Sequence, residues 1–128
     1  MEKERRKIEI SLLRSRYQEI EHGENLDWVL FKNFPLSPGW NREYTELLVI
    51  IPAGHPTTPP DNFYVRDGLR LANGANPNNY SEGQSILGGR WAQFSFHAQS
   101  WNPLPKPEDG DNLLTFMLAV ERRLEEGA

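Results

Sequence analysis

The stretch "YTELLVIIPAGHPTTPPDNFYV", residues 44–65, decides how the rest of the chain is read. From Leu47 to Ile51 every residue is apolar. Successive side chains of a strand point to opposite faces, so an unbroken apolar run predicts a central strand covered on both sides. Behind it, Pro56, Pro59 and Pro60 fix their own φ angles and offer no N–H to a sheet ladder. The spacing therefore predicts a buried strand, a stiff loop and then a short strand at Phe63–Val65.

Upstream, "LDWVLFKNF" (26–34) reads as a strand centred on Trp28, Leu30 and Phe31, entered by the turn "HGEN" and closed by "PLSPGWN". Before it, Ile10, Leu13, Tyr17 and Ile20 recur at helical spacing, which predicts an amphipathic helix from Glu4 to Tyr17. Its last residues, "YQEIEH", would serve equally well as a strand. Downstream, residues 66–90 lack periodicity and are rich in Gly, Asn and Ser, so they read as a long irregular segment. After the Pro-rich "NPLPKPEDGD", a helix is expected from Asp111 to Glu125. Asp111 would be its N-cap, and Leu113, Met117, Val120 and Leu124 its buried stripe. Sequential strands with short turns form an antiparallel meander. The expectation is one α+β domain over residues 1–128: a helix, a meander of about four strands, an irregular segment and a closing helix.

Composition narrows the chemistry. With 38% hydrophobic and 25% charged residues the 128-residue chain has a globular balance. It contains no cysteine, which removes disulfides, zinc thiolates and thiol nucleophiles. A net charge of −4 argues against a protein that tracks nucleic-acid phosphates. No apolar run reaches membrane-spanning length, and "MEKERRK" lacks the apolar stretch of a secretory signal, so a cytoplasmic protein is expected. His22, His55 and His97 lie far apart with no ligand spacing, so neither a metal nor another cofactor is expected. "LGGR" (87–90) does not connect a strand to a helix and is no phosphate loop.

"WAQFSFHAQSW", residues 91–101, sets polar side chains among four large aromatics. In extended backbone Gln93, Ser95 and His97 share one face while Phe94 and Phe96 anchor the other. A serine hydroxyl becomes nucleophilic when a base removes its proton, and a neutral imidazole can act as that base. The bland alternative is that both residues tie down a loop.

The chain resembles the ubiquitin-conjugating (UBC) superfamily, and in particular a prokaryotic family E of UBC-like proteins. The resemblance rests on "IPAGHPTTPPDNFYV", with "HPTTPP" as its proline loop, on "LRLANG", on "WAQFSFHAQSW" and on "WNP" (Trp101–Pro103). It covers most of the chain from Trp28 onward. It implies a UBC fold and work with a ubiquitin-like protein and a ubiquitin-activating-type enzyme. UBC enzymes carry their cargo on a cysteine, whose position here falls near Gln93; no cysteine is present, and "ANPNN" (75–79) only faintly echoes the family's His-Pro-Asn. Transfer would then take a non-cysteine route, with Ser95 as acceptor of an oxyester, or with His97 deprotonating an incoming amine. The alternative is an inactive variant that binds the ubiquitin-like protein or the activating enzyme as a scaffold. By the same resemblance, Lys3, Arg5, Arg6 and Lys7 on the first helix would dock the activating enzyme. His55 takes the place of a family tyrosine and is expected to pack ring for ring. Asp61 would start a turn, and Asp109 and Asp111 would cap the last helix.

Overall fold

The computed structural model describes residues 2–127. Helix α1 spans Glu2–Arg14 and helix α2 Leu113–Glu126. Between them lie β1 (Ile20–His22), β2 (Trp28–Pro35), β3 (Tyr44–Ile50), β4 (Phe63–Val65), β5 (Tyr80–Ile86) and β6 (Gly89–Phe94), followed by a 3-10 turn at Pro107–Asp109. The strands form one sheet in the order β1-β2-β3-β4-β6-β5, with every neighbouring pair antiparallel. The architecture is α+β and consistent with a UBC-like fold.

β3 lies inside the sheet between β2 and β4, as its apolar run requires. The register places Ile20, Phe31, Leu47, Val65 and Ala92 in one row across five strands. These residues are all buried, and they join the apolar sides of α1 (Ile10, Leu13) and α2 (Phe116, Met117, Val120) in one core. Phe94 lies at its heart with 0% exposure, stacked on Phe63 at 4.9 Å and edge-on to Tyr80 at 5.2 Å. Burial of a side chain this size contributes about 1.5–3 kcal/mol. On the opposite sheet face Leu48 and Trp91 are also buried, and the Arg66 guanidinium covers the Trp91 ring at 3.8 Å.

Two expectations are corrected. The sheet has six strands rather than about four, because residues 80–94 form a hairpin instead of continuing the irregular segment. Its two-residue turn is Leu87–Gly88, both at positive φ (52° and 75°), as a type I′ turn requires. β5 is an edge strand with no buried residue, so it has no apolar alternation to announce it. Only residues 66–79 remain irregular, and Leu69, fully buried, pins them to the core.

The second correction concerns helix ends. α2 is capped by Asn112, not Asp111: the Asn112 side chain accepts from Thr115 N, and Thr115 Oγ1 accepts from Asn112 N, both at 3.0 Å. Asp111 instead accepts from Asn102 N at 2.7 Å and from Thr115 Oγ1 at 2.9 Å. α1 stops at Arg14, and part of "YQEIEH" becomes β1.

Candidate functional site

The proline loop ends where β4 begins, and β4 pairs with β6, so the loop meets the segment that follows β6. Phe63 lies opposite Phe94 and Tyr64 opposite Gln93. Beyond that register Asp61 and His97 come together, with the ring Nδ1 of His97 hydrogen-bonded to Asp61 Oδ1. Both side chains are open to solvent, His97 at 73% and Asp61 at 65%. A carboxylate only accepts, so Nδ1 carries the hydrogen of this bond. When the ring is neutral its Nε2 then holds a free lone pair, and no described residue bonds to it. An exposed imidazole held in one tautomer by a carboxylate can take a proton from a reactant.

Ser95 is also exposed, but no hydrogen bond joins it to His97; its backbone N–H donates to Asn79 O at 2.8 Å. Gln93 is half-buried between its cross-strand partners Tyr64 and Ser81. Burial and, next, the Asp61 charge push the Tyr64 phenol above its ordinary pKa. Asp61, read from sequence as a turn residue, is therefore the partner of His97. Neither Asp109 nor Asp111 has a hydrogen bond to His97. The signal for Asp61 lay in the pairing of β4 with β6, 36 residues apart at the contact itself.

A buried node underlies the loop. His55 and Glu9 are both 0% exposed, and His55 Nε2 donates to the two Glu9 oxygens at 3.0 Å each. Glu9 also accepts from Arg5 Nε at 2.7 Å and from Leu113 N, the first residue of α2, at 2.6 Å. Burial alone would raise the Glu9 carboxyl; the His55 bond and charge, Leu113 N–H and Arg5 together hold it below its usual range. One residue on, Pro56 O accepts from Trp101 Nε1 at 2.7 Å, which fastens the loop to the segment carrying His97. His55 packs beside Trp101, with ring centroids 6.2 Å apart, so it is a core residue here.

The basic run of α1 divides. Arg6 is buried and donates to Leu26 O and Pro52 O at 2.8 Å each, and Arg5 turns inward to Glu9 and Leu104 O. Neither belongs to an exposed docking patch, because each satisfies buried acceptors of its own chain. Lys3 and Lys7 stay outside and, with Arg14 and His22, rim a groove of about 530 Å³ over Ile10 and Leu26. A larger groove of about 790 Å³ lies between the ends of α1 and α2, away from His97. Of its charged groups, Glu121 is already engaged by Arg16, at 2.6 and 2.9 Å, and by Tyr17. Among the described residues no group of His, Asp or Glu is arranged to hold a metal ion.

The model of prokaryotic E2 family E matches residues 9–127, nearly the whole chain. The protein belongs to this family. No curated protein and no solved structure matches the chain. As a family E member it is a prokaryotic, UBC-like protein in which the cysteine of UBC enzymes is missing. Family membership carries a ubiquitin-conjugating-like role and, in general terms, partners of the ubiquitin-like and activating-enzyme kind. No helix of the described residues is long and apolar enough to cross a membrane.

Proposed function

We propose that this family E protein acts in a prokaryotic ubiquitin-like modification pathway, setting the activated C-terminus of a ubiquitin-like protein beside an acceptor amine, with His97 as the base. The His97–Asp61 pair at the mouth of the proline loop carries this reading. The amine nitrogen bonds to the activated carbonyl, and His97 Nε2 takes the amine's proton. The bond from that carbonyl to its carrier on the activating enzyme breaks, and the carrier leaves with the electron pair. Asp61 holds the ring in the tautomer that leaves Nε2 free and stabilises the imidazolium formed. No covalent intermediate on this chain is required, in keeping with the absence of cysteine.

Ser95 as oxyester acceptor has weaker support, since no hydrogen bond joins its hydroxyl to His97, whose Nε2 is the base it would need. A second reading is favoured by the same missing Ser95–His97 bond: a module that only binds the ubiquitin-like protein or its activating enzyme and leaves the chemistry to another protein.

The protein is incubated with the ubiquitin-like protein, the activating enzyme, ATP and an amine acceptor, and products are resolved on a denaturing gel. His97→Ala is expected to slow acceptor modification by about 10²–10⁴-fold, and Asp61→Ala to slow it as well. An adduct on this chain that survives thiol reductant, is cleaved by hydroxylamine and vanishes in Ser95→Ala would instead identify Ser95 as the acceptor. Unchanged modification by His97→Ala, with binding intact, overturns the base reading in favour of the binding module.

A further inference from the structure

The contact between Asp61 and His97 joins two exposed side chains, which in isolation hold no fixed geometry because each has free rotamers to lose. Their backbones, however, are clamped. Asn62 follows Asp61, and Phe96 precedes His97. Asn62 N donates to Phe96 O at 2.7 Å, and Phe96 N donates back to the Asn62 side-chain oxygen at 3.0 Å. This pair of bonds replaces the regular ladder: the β4–β6 register of Phe63 with Phe94 would set Asn62 opposite Ser95, not Phe96. The slip is possible because Asn62 sits at φ 67°, in the left-handed region. Of the side chains that tolerate this region, asparagine also carries an amide oxygen short enough to bond nearby backbone. Phe96 itself is held by its ring, edge-on to Phe63 at 5.6 Å and to Phe116 at 5.8 Å.

We infer that Asn62 is the positioning residue of the His97–Asp61 pair: its side-chain oxygen fixes the backbone of Phe96 and thereby keeps the His97 ring within reach of the Asp61 carboxylate. The inference rests on the reading of that pair as the working base, but its geometric content stands apart from activity.

Three substitutions separate the properties of Asn62. Asn62→Gly keeps the left-handed backbone and loses the acceptor; Asn62→Asp keeps both; Asn62→Ala loses both. The readout is the ¹⁵N spectrum of the His97 ring, recorded where the ring is neutral, which reports the nitrogen that carries the hydrogen. Asp61→Ala serves as the reference for a ring without its partner. Backbone amide spectra establish that each variant retains the β4–β6 pairing. The wild type and Asn62→Asp are expected to hold the hydrogen on Nδ1, while Asn62→Gly and Asn62→Ala move toward the Asp61→Ala spectrum. The transfer rate should follow, with kcat reduced about 10–100-fold and KM unchanged, since misplacing a reacting group by about 1 Å costs up to 10²-fold. A folded Asn62→Gly whose His97 hydrogen stays on Nδ1 as in the wild type overturns the inference. A shifted tautomer with unaltered transfer upholds the positioning role and overturns the base reading.

Discussion

Removing the Glu9 carboxylate is expected to destabilise the protein more than any surface substitution. In Glu9→Ala three donors lose their acceptor together: Arg5 Nε at 2.7 Å, His55 Nε2 at 3.0 Å and Leu113 N at 2.6 Å. They belong to α1, the proline loop and the first turn of α2, so one change unfastens three elements. The Arg5 side chain is only 12% exposed and His55 fully buried, so water replaces the lost acceptor poorly. A charge-assisted hydrogen bond contributes about 1.5–3 kcal/mol, but three bonds to one carboxylate are not independent. Breaking a buried ion pair by deleting one partner costs about 3–5 kcal/mol, and that is the magnitude expected here. For a chain of this size it corresponds to a fall in Tm of roughly 10–20 °C. Glu9→Gln keeps the shape and one acceptor oxygen and should lose about 1–3 kcal/mol. Thermal and urea unfolding, followed by circular dichroism, measure both. A loss below about 1 kcal/mol for Glu9→Ala would refute the view that this carboxylate joins the three elements.

Three further outcomes are expected. Leu87, 59% exposed at φ 52° in the β5–β6 turn, strains a position that suits asparagine, so Leu87→Asn should raise stability by about 0.5–1 kcal/mol in urea unfolding; no gain would mean that Leu87 has a packing role. Glu82 is held at a pKa of about 2, first by Arg70, then by Tyr80 and the Gly68 N–H. A depressed carboxylate contributes stability above its unfolded pKa and loses it as pH falls through the folded one, so the wild type should weaken between about pH 4.5 and 2. Glu82→Gln should flatten that part of the profile, and an unchanged slope would show that other carboxylates carry it. If the Lys3–Lys7–Arg14 groove meets an acidic face of the activating enzyme, charge reversal at Lys3 and Lys7 should weaken binding at low salt and matter less at high salt. A salt-independent loss would point to a damaged helix instead.

How much of this was legible depends on where the information lay. β3 could be read because its apolar run is a local consequence of burial on both faces. The hairpin could not: β5 owes its place to pairing with β6, the residues between Tyr80 and Ile86 are all polar or glycine, and its turn carries Leu-Gly in place of the Asn-Gly that would have marked it. The two-residue period of extended backbone drew attention to Gln93, Ser95 and His97; the strand ends at Phe94, Gln93 is half-buried, and Ser95 and His97 are exposed without a hydrogen bond between them. Asp61 could not be read this way, since its meaning arises only when β4 pairs with β6, skipping β5 in sequence. Arg5 and Arg6 show the opposite failure. A basic run looks solvated in sequence, yet two of its members serve buried acceptors, Arg5 the Glu9 carboxylate and Arg6 the Leu26 carbonyl, and Arg5 also reaches Leu104 O, 99 residues on.

The Glu9 node also sets a timetable for the growing chain. Its bond to Leu113 spans 104 residues, which a ribosome adding about 5–20 residues per second takes roughly 5–20 s to synthesise. Through that interval the β2–β3 hairpin, whose partners are close in sequence, can form by local contacts. Helix α1 meanwhile waits with Ile10 and Leu13 lacking the α2 half of their core. A nascent chain halted before residue 113 therefore presents paired strands beside an uncovered apolar helix, the form that chaperones bind and proteases cut. Closure waits until the start of α2 has been made and reaches a carboxylate synthesised 104 residues earlier.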